Sequence, residues 1–196
     1  MKKNLILIGD GGHSASCADV IEAEGNFKIA GLVSSINQKS KNKSKFKIIG
    51  TDADLEHLRK KFNYAFISLG HLRSNKTRID ILEKLKSLEF HLPTIKSPHS
   101  YVSKNSSIGE GSIIMHGCII NSGVNIGKNC IINSMSLLEH GVSIGDNCHI
   151  STGVKINGDV IVESNCFIGS NTVIKQNTSI KKNTFIKMSS SIKNDI

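Results

Sequence analysis

From Val102 to Ile192 every sixth residue is aliphatic, at sixteen consecutive positions without an exception. An α-helix repeats every 3.6 residues and a strand every two, so neither produces a hexad. A strict period of six marks a parallel β-helix, in which short strands wind around a narrow core of stacked side chains. Four places after each of the first fifteen aliphatics stands a small or β-branched residue, such as Ser112, Cys130, Val142 or Thr172. Three places after them, thirteen of fifteen positions hold Gly, Asn or Asp, the types that best tolerate the left-handed backbone of a sharp corner. Large aliphatics fill the prism, small residues fit where the wall bends, and Gly or Asn turns the chain. Sixteen hexads amount to about five three-sided coils, each roughly 4.8 Å above the last.

The hexads occupy the second half, so residues 1–94 form a different domain and residues 95–196 the β-helix. The first half reads as alternating strands and helices. Asn4 to Ile8 is an apolar strand followed by Gly9-Asp10-Gly11-Gly12-His13, and a helix runs from Ser14 to Ala23. A second strand spans Lys28 to Val33, and Thr51 or Asp52 caps a helix that continues through Lys60. Tyr64 to Leu69 is a third strand ending in Gly70, and Ser74 to Leu88 is an amphipathic helix. Such alternation predicts a small Rossmann-like parallel sheet with helices on its faces. Glycines directly after the first strand let a ligand approach the backbone, and the next helix offers its N–H groups to phosphate. A tight turn without a ligand has the same pattern. His13 adds a polar group at that spot.

Composition narrows the function. Net charge is +9, which raises the question of nucleic acid. Much of it comes from the lysine-rich stretch Gln38 to Lys47, which reads as a solvated loop, and base-stacking aromatics are scarce. No nucleic-acid partner is expected; small phosphate-bearing ligands suit the charge better. Four of the five cysteines (Cys118, Cys130, Cys148, Cys166) sit at the small core position and the fifth is Cys17. They read as buried free thiols, which fits a reducing, cytoplasmic setting. The apolar run from Leu5 to Ile8 is too short to span a membrane.

The hexad template exposes its own departures. His140 stands at a corner, two places after Leu138 and directly after Glu139; His149 stands one place before Ile150; His116 occupies the slot of His140 four hexads earlier. Met135 is the one bulky residue in a turn slot, five places before His140. A local rule broken beside a histidine is where function tends to show. A neutral imidazole can take a proton from an amine or hydroxyl attacking a thioester, and the carbonyl oxygen then needs a donor. Zinc needs three converging ligands. His116, His140 and His149 lie on different faces or rungs, so no metal is expected.

At this point the chain resembles the NeuD/PglD group of hexapeptide-repeat sugar acyltransferases. The resemblance runs through Leu5-Ile6-Leu7-Ile8-Gly9-Asp10-Gly11-Gly12-His13, Gly50-Thr51-Asp52, Ile67-Ser68-Leu69-Gly70 with Arg73, and Ser97-Pro98-His99-Ser100. It continues in Leu138-Glu139-His140, Cys148-His149-Ile150-Ser151-Thr152-Gly153 and Asn157-Gly158-Asp159-Val160, with nine residues between the two histidines. It implies a left-handed β-helix, a homotrimer and acetyl-CoA bound between neighbouring subunits. It implies His140 as general base with Glu139 beside it, and His149 against the acetyl carbonyl. Backbone at Gly158 and Gly169 would hold acetyl-CoA, and Gly11, Gly12, His13 and Gly70 would hold the sugar or its nucleotide.

The chain differs from such relatives at three places. Gly141 follows the histidine where relatives often have an acidic residue, Ser34 and Ser35 stand where aspartates commonly end the second strand, and the C-terminus lacks a Gly-rich coil. The resemblance implies acetyl transfer to the amine of a nucleotide-linked amino sugar in bacterial surface-glycan synthesis. O-acetylation of sialic acid or a related nonulosonic acid is the neighbouring alternative. A non-catalytic nucleotide-sugar-binding scaffold is the alternative of another class, and a metal-dependent hydratase is a more distant one.

Overall fold

A computed structural model describes residues 2–35, 44–71 and 74–196. Residues 38–43 of the basic stretch, and Arg73, lie outside the described residues. The chain forms two compact units, Met1–Pro93 and Thr94–Ile196.

In the first unit the chain runs β1 (Lys3–Ile8), α1 (Gly12–Glu24), β2 (Phe27–Ser34), β3 (Ile48–Thr51), α2 (Leu55–Arg59), β4 (Tyr64–Ile67) and α3 (Lys76–Ser87). The strands form one parallel sheet in the order β3-β2-β1-β4. Ile6 and Ile8, alternate residues of β1, share a core with Leu55 and Leu58 of α2 and Leu82 and Leu85 of α3. Leu5 and Leu7, on the other face of β1, are equally inaccessible. A parallel strand covered on both faces reads as a continuous apolar run, and Leu5 to Ile8 is one.

Two features depart from the expected layout. Strand β3 replaces part of the anticipated entry to a helix. It pairs with β2 through Leu32–Ile48, and a Cβ on Gly31 would stand 2.5 Å from Ile49 Cγ2, so only glycine lets the two strands close. The helix expected through Lys60 is also broken. A 3-10 turn, Asp52–Asp54, precedes α2, and Asp54 Oδ2 accepts from both Thr51 N–H (2.8 Å) and Thr51 Oγ1 (2.9 Å). Those two bonds hold the Asp54 carboxyl below its usual pKa of 3.8.

The second unit is a left-handed parallel β-helix. Its described residues form seventeen two-residue strands, from Ile95–Lys96 to Ser191–Ile192. They lie in three parallel sheets of five, six and six strands. Ile132 pairs with Ile150, and Ile150 with Ile168. One coil is therefore eighteen residues, or three hexads, and each aliphatic stacks on its equivalent in the next coil. These three isoleucines have no exposed surface.

The corners obey the turn rule. Asn129, Asn147, Asp159, Asn165, Asn171, Asn177 and Asn183 have φ between 54° and 65°, and even Met135 adopts 63°. Asn129, Asn147, Asn165 and Asn183 also form a ladder, each Nδ2 donating to the next Oδ1 at 2.9, 3.3 and 3.1 Å. The small-residue position has a second role besides fitting the bend. Ser112, Cys118, Cys130, Ser136, Cys148, Cys166 and Thr172 each donate to the carbonyl fifteen residues on, at 2.8 to 3.1 Å. Short polar side chains thus satisfy backbone oxygens inside the prism.

Candidate active site

The β-helix sets His140 at the corner that follows the strand Leu137–Leu138, with its side chain 69% exposed. Gly158 lies one coil further on. A Cβ there would stand 2.5 Å from His140 Cε1 and 2.7 Å from Nε2, so the ring can rest in this place only because residue 158 is glycine. Asp159 donates its N–H to the His140 carbonyl at 3.0 Å, and its Oδ2 lies 3.8 Å from His140 Nδ1. Gly141 makes this approach possible, because a Cβ at that corner would collide with Asp159 Oδ1. Glu139 points to a different partner: its Oε2 accepts from Asn121 Nδ2 at 2.9 Å. The carboxylate that faces the imidazole is Asp159.

His149 belongs to the strand His149–Ile150 on another face and is only 6% exposed. Its ring meets Phe167 edge-on at 5.1 Å, and Phe167 stacks on Phe185 at 5.0 Å. Nine residues are half of an eighteen-residue coil, so His140 and His149 lie on opposite sides of the prism within one protomer. Gly169 is demanded by packing, since a Cβ there would stand 2.6 Å from the Lys187 carbonyl carbon. The Nδ1 of His116 is bonded to Ser97 Oγ at 2.6 Å, and its ring leans on His99 at 5.6 Å. Among the described residues no three His, Cys, Asp or Glu side chains converge as a metal site would require.

In the first unit, Gly11 and Gly12 are exposed, and a Cβ on either would meet no atom within 4 Å. Helix α1 starts there without a side-chain cap, which leaves its first N–H groups for water or a ligand. Gly70 lies against His13, its ideal Cβ 3.5 Å from His13 Cβ, so both predicted contacts share one place. Asp10 in the same turn is 7% exposed, and its Oδ2 has no hydrogen-bond partner among the described residues. The turn therefore offers backbone donors together with one buried acceptor. Beyond the ends of β1 and β2 lies a cavity of about 250 Å³. Ile8, Val33 and Leu69 give it apolar walls, and Ser34, Ser35 and Asp52 give it polar edges.

All five cysteines are buried free thiols. Burial pushes the Cys118 thiol up to about 11 and the Cys17 thiol up to about 12. Neither supplies a thiolate near neutral pH. No helix among the described residues is long and apolar enough to cross a membrane.

A βα unit with an open glycine turn, joined to a hexapeptide β-helix with an exposed corner histidine, defines a hexapeptide-repeat transferase. Residues 4–85 match the PglD N-terminal domain, and residues 105–140 and 141–176 match the bacterial transferase hexapeptide (six repeats). The chain belongs to the NeuD/PglD family of hexapeptide-repeat sugar acyltransferases. The acetyltransferase domain of PglB from Neisseria gonorrhoeae FA1090, in complex with acetyl coenzyme A, is 25% identical with a TM-score of 0.89, over 100% of this chain and 93% of that one. A variant of perosamine N-acetyltransferase from Caulobacter crescentus, in complex with CoA and GDP-perosamine, shares the fold at 24% identity and a TM-score of 0.91, over 98% and 90% of the chains. WeeI from Acinetobacter baumannii AYE shares it at 18% identity and 0.84, over 100% and 93%. No curated protein matches the sequence.

Proposed function

We propose that this protein transfers the acetyl group of acetyl-CoA to the amine of a nucleotide-linked amino sugar. One observation carries the mechanism: an exposed imidazole seated on Gly158 with the Asp159 carboxylate on its Nδ1 side. A carboxylate there favours the tautomer that carries its proton on Nδ1, which leaves Nε2 as the base. The acceptor nitrogen attacks the thioester carbonyl, a C–N bond forms and the C–S bond breaks. His140 takes the proton released by the nitrogen and returns it to the departing CoA thiolate. Transfer is direct, in keeping with cysteines that are all buried. His149 serves the acetyl carbonyl, and the backbone at Gly158 and Gly169 lies along acetyl-CoA. Gly11, Gly12, His13 and Gly70 hold the acceptor. Complexes of structural relatives with acetyl-CoA, and with CoA and GDP-perosamine, support both substrate classes.

The active form is a homotrimer. His140 and His149 lie half a coil apart, so a site that uses both takes them from two protomers. The reaction belongs to surface-glycan synthesis in the cytoplasm, a setting that suits five unpaired thiols.

The test is steady-state turnover of acetyl-CoA with amino sugars linked to UDP, GDP or CDP. His140→Ala is expected to lose 10²–10⁴-fold, the usual contribution of a general base. Retention of more than about a tenth of the activity would reject the assignment. Ser34 and Ser35 at the rim of the cavity favour a second reading, O-acetylation of a sialic or related nonulosonic acid. Preferential turnover of free sialic acids over nucleotide sugars in the same screen would select it.

A further inference from the structure

The bulky corner residue Met135 adopts φ 63°, a left-handed backbone that any Cβ makes costly. It is 68% exposed, so burial of its thioether does not offset that cost. The side chain folds back over the preceding coil. Its Sδ stands 2.5 Å from where a Gly117 Cβ would be, so glycine at 117 makes the room. His99, Gly117 and Met135 turn the same corner in three successive coils, eighteen residues apart, and His116 directly precedes Gly117. The rings of His99 and His116 are 5.6 Å apart and tilted by 52°. His99 is exposed and His116 half-buried. Two imidazoles and one thioether thus gather at one open corner, within two rungs of roughly 4.8 Å each.

Ser97 prepares this cluster. Its Oγ is buried, accepts from the His99 backbone N–H at 2.9 Å and is bonded to His116 Nδ1 at 2.6 Å. With Nδ1–H donating to that oxygen, Nε2 keeps the lone pair that a metal needs. Metal–nitrogen bonds of about 2.0–2.1 Å put the centroids of two imidazoles on one ion up to roughly 6.4 Å apart. The observed spacing lies within that reach.

We propose that His99, His116 and Met135 form a binding site for a cuprous ion, with Ser97 holding the His116 ring in place. Thioether sulfur is a soft donor that selects Cu(I), and imidazole suits copper as well. Zinc draws on cysteine, histidine and carboxylate, and no three of those converge among the described residues. The corner follows the strand Ile113–Ile114, whereas His140 follows Leu137–Leu138 in another sheet. The copper site therefore stands apart from the proposed transfer reaction.

Anaerobic titration of the full chain with Cu(I), in competition with the chromogenic chelator bicinchoninate, tests this. Wild type should take up one equivalent, and Met135→Asn and His116→Gln should each weaken its binding at least about tenfold. Asparagine is the usual residue of these corners, so the first variant keeps the fold. Ser97→Ala should weaken binding about tenfold, as loss of an outer partner does, and Ser97→Thr should restore it. Unchanged binding by Ser97→Ala would remove the serine from the site. Zinc alone, titrated calorimetrically, should be held far more weakly. A wild type that leaves the copper with the chelator overturns the site. So does binding by Met135→Asn, shown folded by its thermal melt, within about twofold of wild type, because the copper would then sit on the buried thiols. Zinc held as tightly as copper would overturn the choice of ion.

Discussion

As the proposed base, His140 needs space, orientation and access, and two residues and its own place in the fold provide them. Gly158 gives the space, Asp159 the orientation, and the corner itself the access. Glu139 is the acidic neighbour visible in sequence, yet its carboxylate is taken by Asn121. Asp159 is invisible to a linear reading because it is eighteen residues from Gly141. It becomes a neighbour only when the hexads are folded into coils of three. That signal is nevertheless present in the hexads: adding one coil length to each residue around His140 lands on Gly158 and Asp159. Asp159→Asn is expected to lower kcat/KM by about 10–100-fold, as loss of an orienting carboxylate does. Glu139→Gln should cost much less. Both are read in the acetyl-CoA assay beside wild type, and the reverse order would return the supporting role to Glu139.

At the scale of the element, the β-helix is legible because one short rule is repeated without interruption. Each hexad repeats the demand for an aliphatic, a small residue and a corner former, so single exceptions do not obscure it. The i+15 hydrogen bonds are not legible, because serine, cysteine and threonine look merely small until the backbone above them is in place. Strand β3 is hidden for the opposite reason: four residues are too few to show alternation. The corners allow a sharp test. Asn165 has φ 65° and bridges Asn147 and Asn183. Asn165→Ala should lose about 1–2 kcal/mol from the left-handed backbone alone, with the broken ladder in addition. Asn165→Gly should lose less, although glycine is the more flexible residue in the unfolded chain. Denaturant unfolding of the two variants decides it, and an alanine variant at least as stable as the glycine one would contradict the corner account.

For the whole molecule, the decisive quantity is the nine-residue spacing of the histidines against an eighteen-residue coil. Sequence alone shows the spacing, and the hexad shows the coil. Their ratio of one half sets the two rings on opposite sides of a protomer. Had the interval been eighteen, both rings would share one column and a single chain would suffice. The arrangement makes subunit mixing informative. His140→Ala and His149→Ala homo-oligomers should each have little activity. When the two are unfolded together in equal amounts and refolded as mixed oligomers, each seam of the proposed trimer would draw its His140 from one chain and its His149 from the next. Random assortment then rebuilds both native histidines in about a quarter of the seams. Activity near that fraction of wild type is expected, measured with acetyl-CoA and the amino-sugar acceptor after size-exclusion chromatography of the refolded material. A site made within one protomer would regain nothing, because every chain in the mixture lacks one of the two rings.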